Sequence, residues 1–267
     1  MTDQNCLNCG KELTGKYCSG CGQKADTHRI SFKNFISQDV LHGTFHIEKG
    51  MLFTARQALT RPGQAALDYI AGKRKRYYNV FLLILITIGS ILFLRHFYDE
   101  LAISQGVEII EAPSYPNEAS RAMDEIFAQK SKIIIFLFVP FAALNSFILF
   151  RGKKLNLSEH SIIAGMILLG MLLLSALGNL FFYFDLIIPF NNIFSSVMSN
   201  LVTVLVILHI GYGYFNAFAA GYSRSGITYR IVLFYTLLGL EIWILFLIVF
   251  GVITNWKFGT ITLSPFS

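Results

Sequence analysis

Four cysteines fall within the first 21 residues, as Cys6-Leu7-Asn8-Cys9-Gly10 and Cys18-Ser19-Gly20-Cys21-Gly22. A C-x-x-C-G turn aims two thiolates at one metal, and the glycine that follows accepts backbone angles other residues resist. Two such turns, with eight residues between Cys9 and Cys18, supply four sulfurs for one tetrahedral site. Zinc suits soft ligands in a closed shell; iron held by four thiolates is the alternative. The expected role of Cys6, Cys9, Cys18 and Cys21 is structural, because a closed shell leaves no position open to a substrate. With so little apolar material nearby, the metal is expected to supply most of the head's folding free energy.

A second chemistry is suggested by His209 and Glu241, which fall near the midpoints of two long apolar runs. Ionisable groups at that depth face a partner, a cavity or a neighbouring helix. A short turn joins the two runs, so a direct or water-bridged His209–Glu241 pair is expected. It would serve either as a proton- or ligand-responsive site or as a hydrogen-bonded packing contact. Along the same run His209, Gly213, Ala217 and Gly221 repeat every four residues, a spacing that lets helices approach closely. Asn145, Asn179, Asn200 and Asn216 are further polar candidates to bridge helices or line a path. His28, His42 and His46, with Glu48, read better as surface residues of amphipathic helices than as a second metal site. The sequence carries no Walker A loop, no H-E-x-x-H and no G-x-S-x-G elbow.

The elements that must position these groups follow from composition. The chain has 267 residues, of which 54% are hydrophobic and only 14% charged, with a mean hydropathy of +0.55. Its apolar residues are blocked rather than periodic, in uncharged runs of about 20 residues, the length a bilayer core asks of a helix. Spans are expected at about 78–97, 132–150, 161–184, 197–221 and 231–253. The fold class is an all-α polytopic membrane protein of about five transmembrane helices behind a small zinc-ribbon head (1–26) and a cytoplasmic juxtamembrane segment (27–76). Residues 1–76 hold twelve Lys and Arg against six Asp and Glu, so the whole excess of +6 precedes the first span. The loop 99–131 is acidic, carries Pro113 and Pro116, and reads as mostly irregular. Basic loops alternate with acidic or neutral ones, which puts the N-terminus in the cytoplasm and the C-terminus outside. A lysine- and cysteine-bearing start replaces the apolar core of a signal peptide, and a reducing compartment favours metal over disulfide.

Within 27–76, Phe32, Phe35, Ile36, Val40 and Leu41 recur near helical spacing, and a second amphipathic segment carries Met51 to Leu59. Arg61-Pro62-Gly63 breaks it, and Pro62 starts another helix to Ile70. These helices are expected to pack on one another, lie on the surface or dock against the spans. Lys73, Arg74, Lys75 and Arg76, beside Tyr69, Tyr77 and Tyr78, suit anionic lipid headgroups. The head, Arg61-Pro62-Gly63, then Tyr69-Ile70-Ala71-Gly72-Lys73-Arg74 and Tyr77, resembles a family of uncharacterised bacterial inner-membrane proteins, a domain of unknown function. The resemblance covers roughly residues 5–80. It implies an N-terminal zinc ribbon, a juxtamembrane stretch and several spans, with no established activity.

Function is therefore expected from architecture: a non-enzymatic scaffold or interaction protein with a structural zinc head. Its partners would be the lipid bilayer and a cytoplasmic protein, with no nucleic acid, since no recognition helix accompanies the basic head. The alternative is a transporter or channel with a polar site at His209 and Glu241. A membrane enzyme acting on lipid is the least supported class.

Overall fold

The computed structural model describes residues 5–25, 27, 30, 49–104, 118–186, 191–253 and 256. Seven α-helices occur among them: α1 (Lys49–Thr60), α2 (Pro62–Ile70), α3 (Val80–Ser104), α4 (Glu118–Leu149), α5 (Leu157–Phe182), α6 (Asn192–Phe218) and α7 (Arg224–Ile253). The described residues contain no strand, only isolated antiparallel bridges between Asn5 and Glu12 and between Tyr17 and Lys24. Four helices, at Val80–Ser104, Leu157–Phe181, Ile193–Gly221 and Arg224–Ile253, are long and apolar enough to cross a membrane.

Local sequence explains where the helices start. Asn156 accepts from the Glu159 N–H at 2.9 Å while the Glu159 carboxylate accepts from the Asn156 N–H at 2.7 Å, a reciprocal cap for α5. Asn191 caps α6 by accepting from the Phe194 N–H. Pro62 occupies the first position of α2, where its missing N–H is an orphan in any case.

Helix α5 is the hub. It packs against α1, α2, α3, α4 and α6, and 56% of its span is buried, against 11% for each of α6 and α7. Ile163, Met166, Ile167, Leu168 and Leu169 of α5 are fully buried and form its contact face. Near one end of α4 and α6 an aromatic layer closes the bundle. Phe150 stacks on Phe218 with centroids 4.5 Å apart and on Tyr214 at 5.8 Å, and Phe234 tilts against Tyr214 at 4.4 Å. The Arg230 guanidinium lies 4.2 Å over the Tyr222 ring and donates to the Leu149 carbonyl at 3.1 Å, tying α7 to the end of α4.

Two expectations change. Within α4 the described apolar stretch is Ile135–Leu149, so the span expected at 132–150 is not among the four span-length helices. The segment 99–131 is not mostly irregular: α3 continues to Ser104 and α4 begins at Glu118. Pro113 and Pro116 lie between these helices, outside the described residues, so neither interrupts them. The amphipathic segment from Phe32 to Leu41, together with His28, His42, His46 and Glu48, also falls outside the described residues.

Candidate metal centre and juxtamembrane clasp

The two cysteine turns adopt the same local geometry. In the first, Cys6 donates its N–H to the Lys11 carbonyl (2.7 Å) and Gly10 donates back to the Cys6 carbonyl (2.8 Å). In the second, Cys18 donates to Gln23 (2.8 Å) and Gly22 to Cys18 (2.9 Å). Gly10 and Gly22 sit at φ +76° and +72°, the left-handed region that the glycines were expected to supply. The four sulfurs lie within 4.8 Å of one another, with Cys6–Cys21 at 3.6 Å and Cys9–Cys18 at 3.5 Å. Sulfurs bound to one zinc ion at about 2.3 Å would be separated by about 3.8 Å, so the donor set fits a tetrahedral metal.

The electrostatics favour the same reading. Backbone N–H groups of Cys21 and Gly20 pull the Cys18 thiol down to about 6. Burial opposes ionisation of Cys21, but the Gln23 backbone and the Asn8 amide outweigh it and lower that thiol too. At Cys9 the Lys11 backbone favours thiolate, yet the bond to Cys18, burial and the sulfurs of Cys21 and Cys6 together push it up to about 12. Thiolates crowded beside protonated sulfurs are a set whose remaining protons a divalent cation displaces.

The head is fastened to the chain just before α3. Gln23, buried, donates its Nε2 to the Gly72 carbonyl at 2.8 Å and accepts from the Lys75 N–H at 3.2 Å. Gly72 has φ +98°, and a Cβ there would come within 2.6 Å of Leu7. The turn calls for glycine, and the Leu7 side chain of the head lies close over it. The four basic residues divide in their duties. Lys73 bonds Asp68 at 2.7 Å and Arg74 stacks on the Tyr69 ring at 5.6 Å, whereas the side chains of Lys75 and Arg76 remain at least partly exposed. Burial works against the Asp68 carboxylate, but Lys73, with Arg61 at 3.8 Å, outweighs it and holds the group below the usual carboxylate range. Tyr77 donates to Asp68 at 3.3 Å, and its own phenol is pushed up to about 12 by burial and by that negative charge.

Helices α1 and α2 form a hairpin set against α5 and α6. Its turn creates a backbone problem that α6 solves. In a continuing helix the Ala58 carbonyl would accept from residue 62, which is a proline and has no N–H. His209 of α6, with 7% exposure, brings its Nε2 beside that carbonyl without closing a well-formed hydrogen bond. Both atoms crowd the space over Gly170, where a Cβ would lie 2.1 Å from the imidazole and 2.5 Å from the carbonyl. One turn on, the Tyr212 hydroxyl donates to the Thr60 carbonyl at 2.8 Å. Arg61 provides no side-chain cap for α2; Asn216 does so from α6, accepting from the Gln64 N–H at 2.8 Å while Gln64 Nε2 donates to the Asn216 carbonyl at 2.8 Å. Gly63 meets α6 backbone to backbone: a Cβ there would fall 2.3 Å from the Gly213 carbonyl and 2.4 Å from the Ala217 nitrogen. The four-residue repeat on α6 thus seats the hairpin through Gly213 and Ala217, while a Cβ at Gly221 would meet nothing.

His209 and Glu241 make no direct hydrogen bond to each other. Glu241 of α7 accepts instead from the Asn145 amide of α4 at 2.8 Å, and His209 faces the hairpin. Two residues at similar depth on adjacent helices need not share a face, and here the freed Ala58 carbonyl claims the histidine side of α6. Tyr235 was not anticipated. Its hydroxyl bridges the Gly211 N–H (2.7 Å) and the Ile207 carbonyl, two groups that a regular helix pairs with each other. The glycine at 211, where a Cβ would sit 2.8 Å from that oxygen, was the only trace of it in the sequence.

Residues 48–89 match the model of a protein family of unknown function, DUF3667. The matched stretch is the hairpin, the Gly72 turn and the first part of α3; the cysteines lie outside it. No curated protein and no solved structure matches the chain.

Proposed function

We propose that this protein is a non-enzymatic inner-membrane scaffold whose N-terminal head, folded around one structural zinc ion, presents a fixed surface to a cytoplasmic protein partner. In this reading residues 132–150 supply a fifth crossing beside the four span-length helices. The head and the hairpin then lie in the cytoplasmic half and the C-terminus outside, as the positive-inside rule requires. Lys75 and Arg76, left over by the internal pairs of Lys73 and Arg74, face anionic headgroups.

The observation that carries the proposal is the Gln23 bridge to Gly72 and Lys75. A head meant to roam would not spend a buried amide on the base of the first span. Polar groups of the bundle helices support the same view, because His209, Tyr212, Asn216 and Asn145 all face or bond other helices. A transporter reading would instead place the activity at Glu241. Affinity purification in mild detergent tests both, using the intact chain, Cys6→Ser, Gln23→Ala and Glu241→Gln. The scaffold reading expects a partner recovered with the intact chain and Glu241→Gln but lost with Cys6→Ser. Recovery that ignores the head, or that fails only with Glu241→Gln, would overturn it.

A further inference from the structure

We infer that the chain forms a parallel homodimer through the outer half of α6, with Asn200 of each copy bonding Asn200 of the other. The inference rests on reading α6 as a membrane span.

The two halves of α6 are unlike. Its second half, from His209 onward, turns His209, Gly213, Tyr214 and Ala217 inward. Its first half is covered along a side facing α5, where a Cβ on Gly178 would meet Val202 at 2.9 Å, and at its Ile207 end, whose carbonyl accepts from the Tyr235 hydroxyl. On the opposite side Ile193, Val197, Asn200, Val204 and Ile207 follow one another at spacings of four, three, four and three, all exposed: 77%, 55%, 50% and 49% for the four aliphatic residues. That is the heptad rhythm of a helix seam, and β-branched Ile and Val are stiff knobs that lose little freedom on packing. At about 1.5 Å per residue the seam runs for roughly 21 Å, most of the hydrocarbon thickness. The next position in the rhythm is Gly211, which Tyr235 of the same chain already occupies.

Lipid tails would cover the four aliphatic residues well enough, but they offer nothing to the amide. Asn200 has no hydrogen-bond partner among the described residues, whereas the neighbouring Thr203 hydroxyl turns back to the Ser199 carbonyl at 3.0 Å. An amide needs a donor and an acceptor together, and a second Asn200 is both. Every copy inserts in the same direction, so a twofold axis along the membrane normal makes the helices parallel and brings the two amides to the same depth. An unrelated partner would have to match both depth and rhythm; a second copy does so by symmetry.

The test is subunit counting by photobleaching, with the full-length chain carrying one fluorophore at its C-terminus in vesicles over a series of protein-to-lipid ratios. The wild type should pass from one to two bleaching steps as density rises. Asn200→Val should shift that transition about tenfold to higher density, and Asn200→Gln should keep it near the wild type. Leu205→Ala, off the seam, should leave it unchanged. Single steps at every density, assemblies larger than two, or Asn200→Val matching the wild type would overturn the dimer. A chain that fails to co-float with the vesicles overturns the membrane reading itself, a result separate from any of these.

Discussion

The chain is fastened in two places, and the two fastenings differ in kind. Just before α3 the head is held by Gln23 and by the fit of Leu7 over Gly72, and the head gathers four cysteine sulfurs within 4.8 Å of one another. At the tip of the hairpin, Gly63 lies against the backbone of Gly213 and Ala217, with Asn216 and Tyr212 completing the broken backbone. The first fastening depends on a few hydrogen bonds beside a cysteine set that could hold a metal ion. The second depends on contact so close that no side chain fits between the helices. One is reversible by chemistry; the other is part of the fold.

The sharpest way to break this comparison is at Gly63. Gly63→Leu should cost more than about 3 kcal/mol, because backbone rather than a movable side chain blocks the new Cβ. Loss of the folded, monodisperse protein in detergent is the expected reading, and an intact bundle would refute the clasp. Metal removal comes next and should separate the two fastenings. A strong chelator should expose the head to protease at residues 5–25 while the helical circular dichroism stays nearly constant. Gln23→Ala should cost about 1–2 kcal/mol, read as faster cleavage of the head with the bundle's melting unchanged.

Smaller effects sharpen the picture. Asn216→Ala removes a cap supplied by another helix and should lower stability by about 1 kcal/mol. Glu241→Gln and His209→Ala should add, with a coupling under about 0.5 kcal/mol, since each side chain addresses a different helix. A larger coupling would restore the pairing that the sequence suggested. Asp68 gives a pH signature. Its carboxyl is held below the ordinary range when folded, so its contribution is present above that range and is lost as pH falls through the folded value. Acid should therefore loosen the hairpin base, and Asp68→Asn should abolish that part of the pH dependence.

These elements also show what a single sequence carries. The cysteine cluster was legible because its members are local: four cysteines within sixteen positions leave little freedom, and the glycines at φ +76° and +72° match the expected turns. Four apolar helices were legible because composition alone distinguishes about 20 uncharged residues from a soluble core. The clasp was half legible. Small residues every four positions on α6 announced a close contact but not its partner, which lies about 150 residues earlier in the chain. The destination of His209 was hidden for a related reason. Nothing near it in sequence reveals that Pro62 has freed a carbonyl on another helix, and only the assembled bundle brings them together.

The same break at Pro62 has a consequence for how the chain is made. The hairpin's turn emerges early, but the residue that caps it, Asn216, lies 152 positions after Gln64. At about 5–20 residues per second, the turn waits roughly 8–30 s before α6 has been synthesised. During that interval the Thr60 carbonyl and the first turn of α2 lack the partners that α6 supplies, although α5, against which the hairpin also packs, is made earlier. A nascent chain halted before residue 209 would carry its family-matched segment with the fit at Gly63 not yet made.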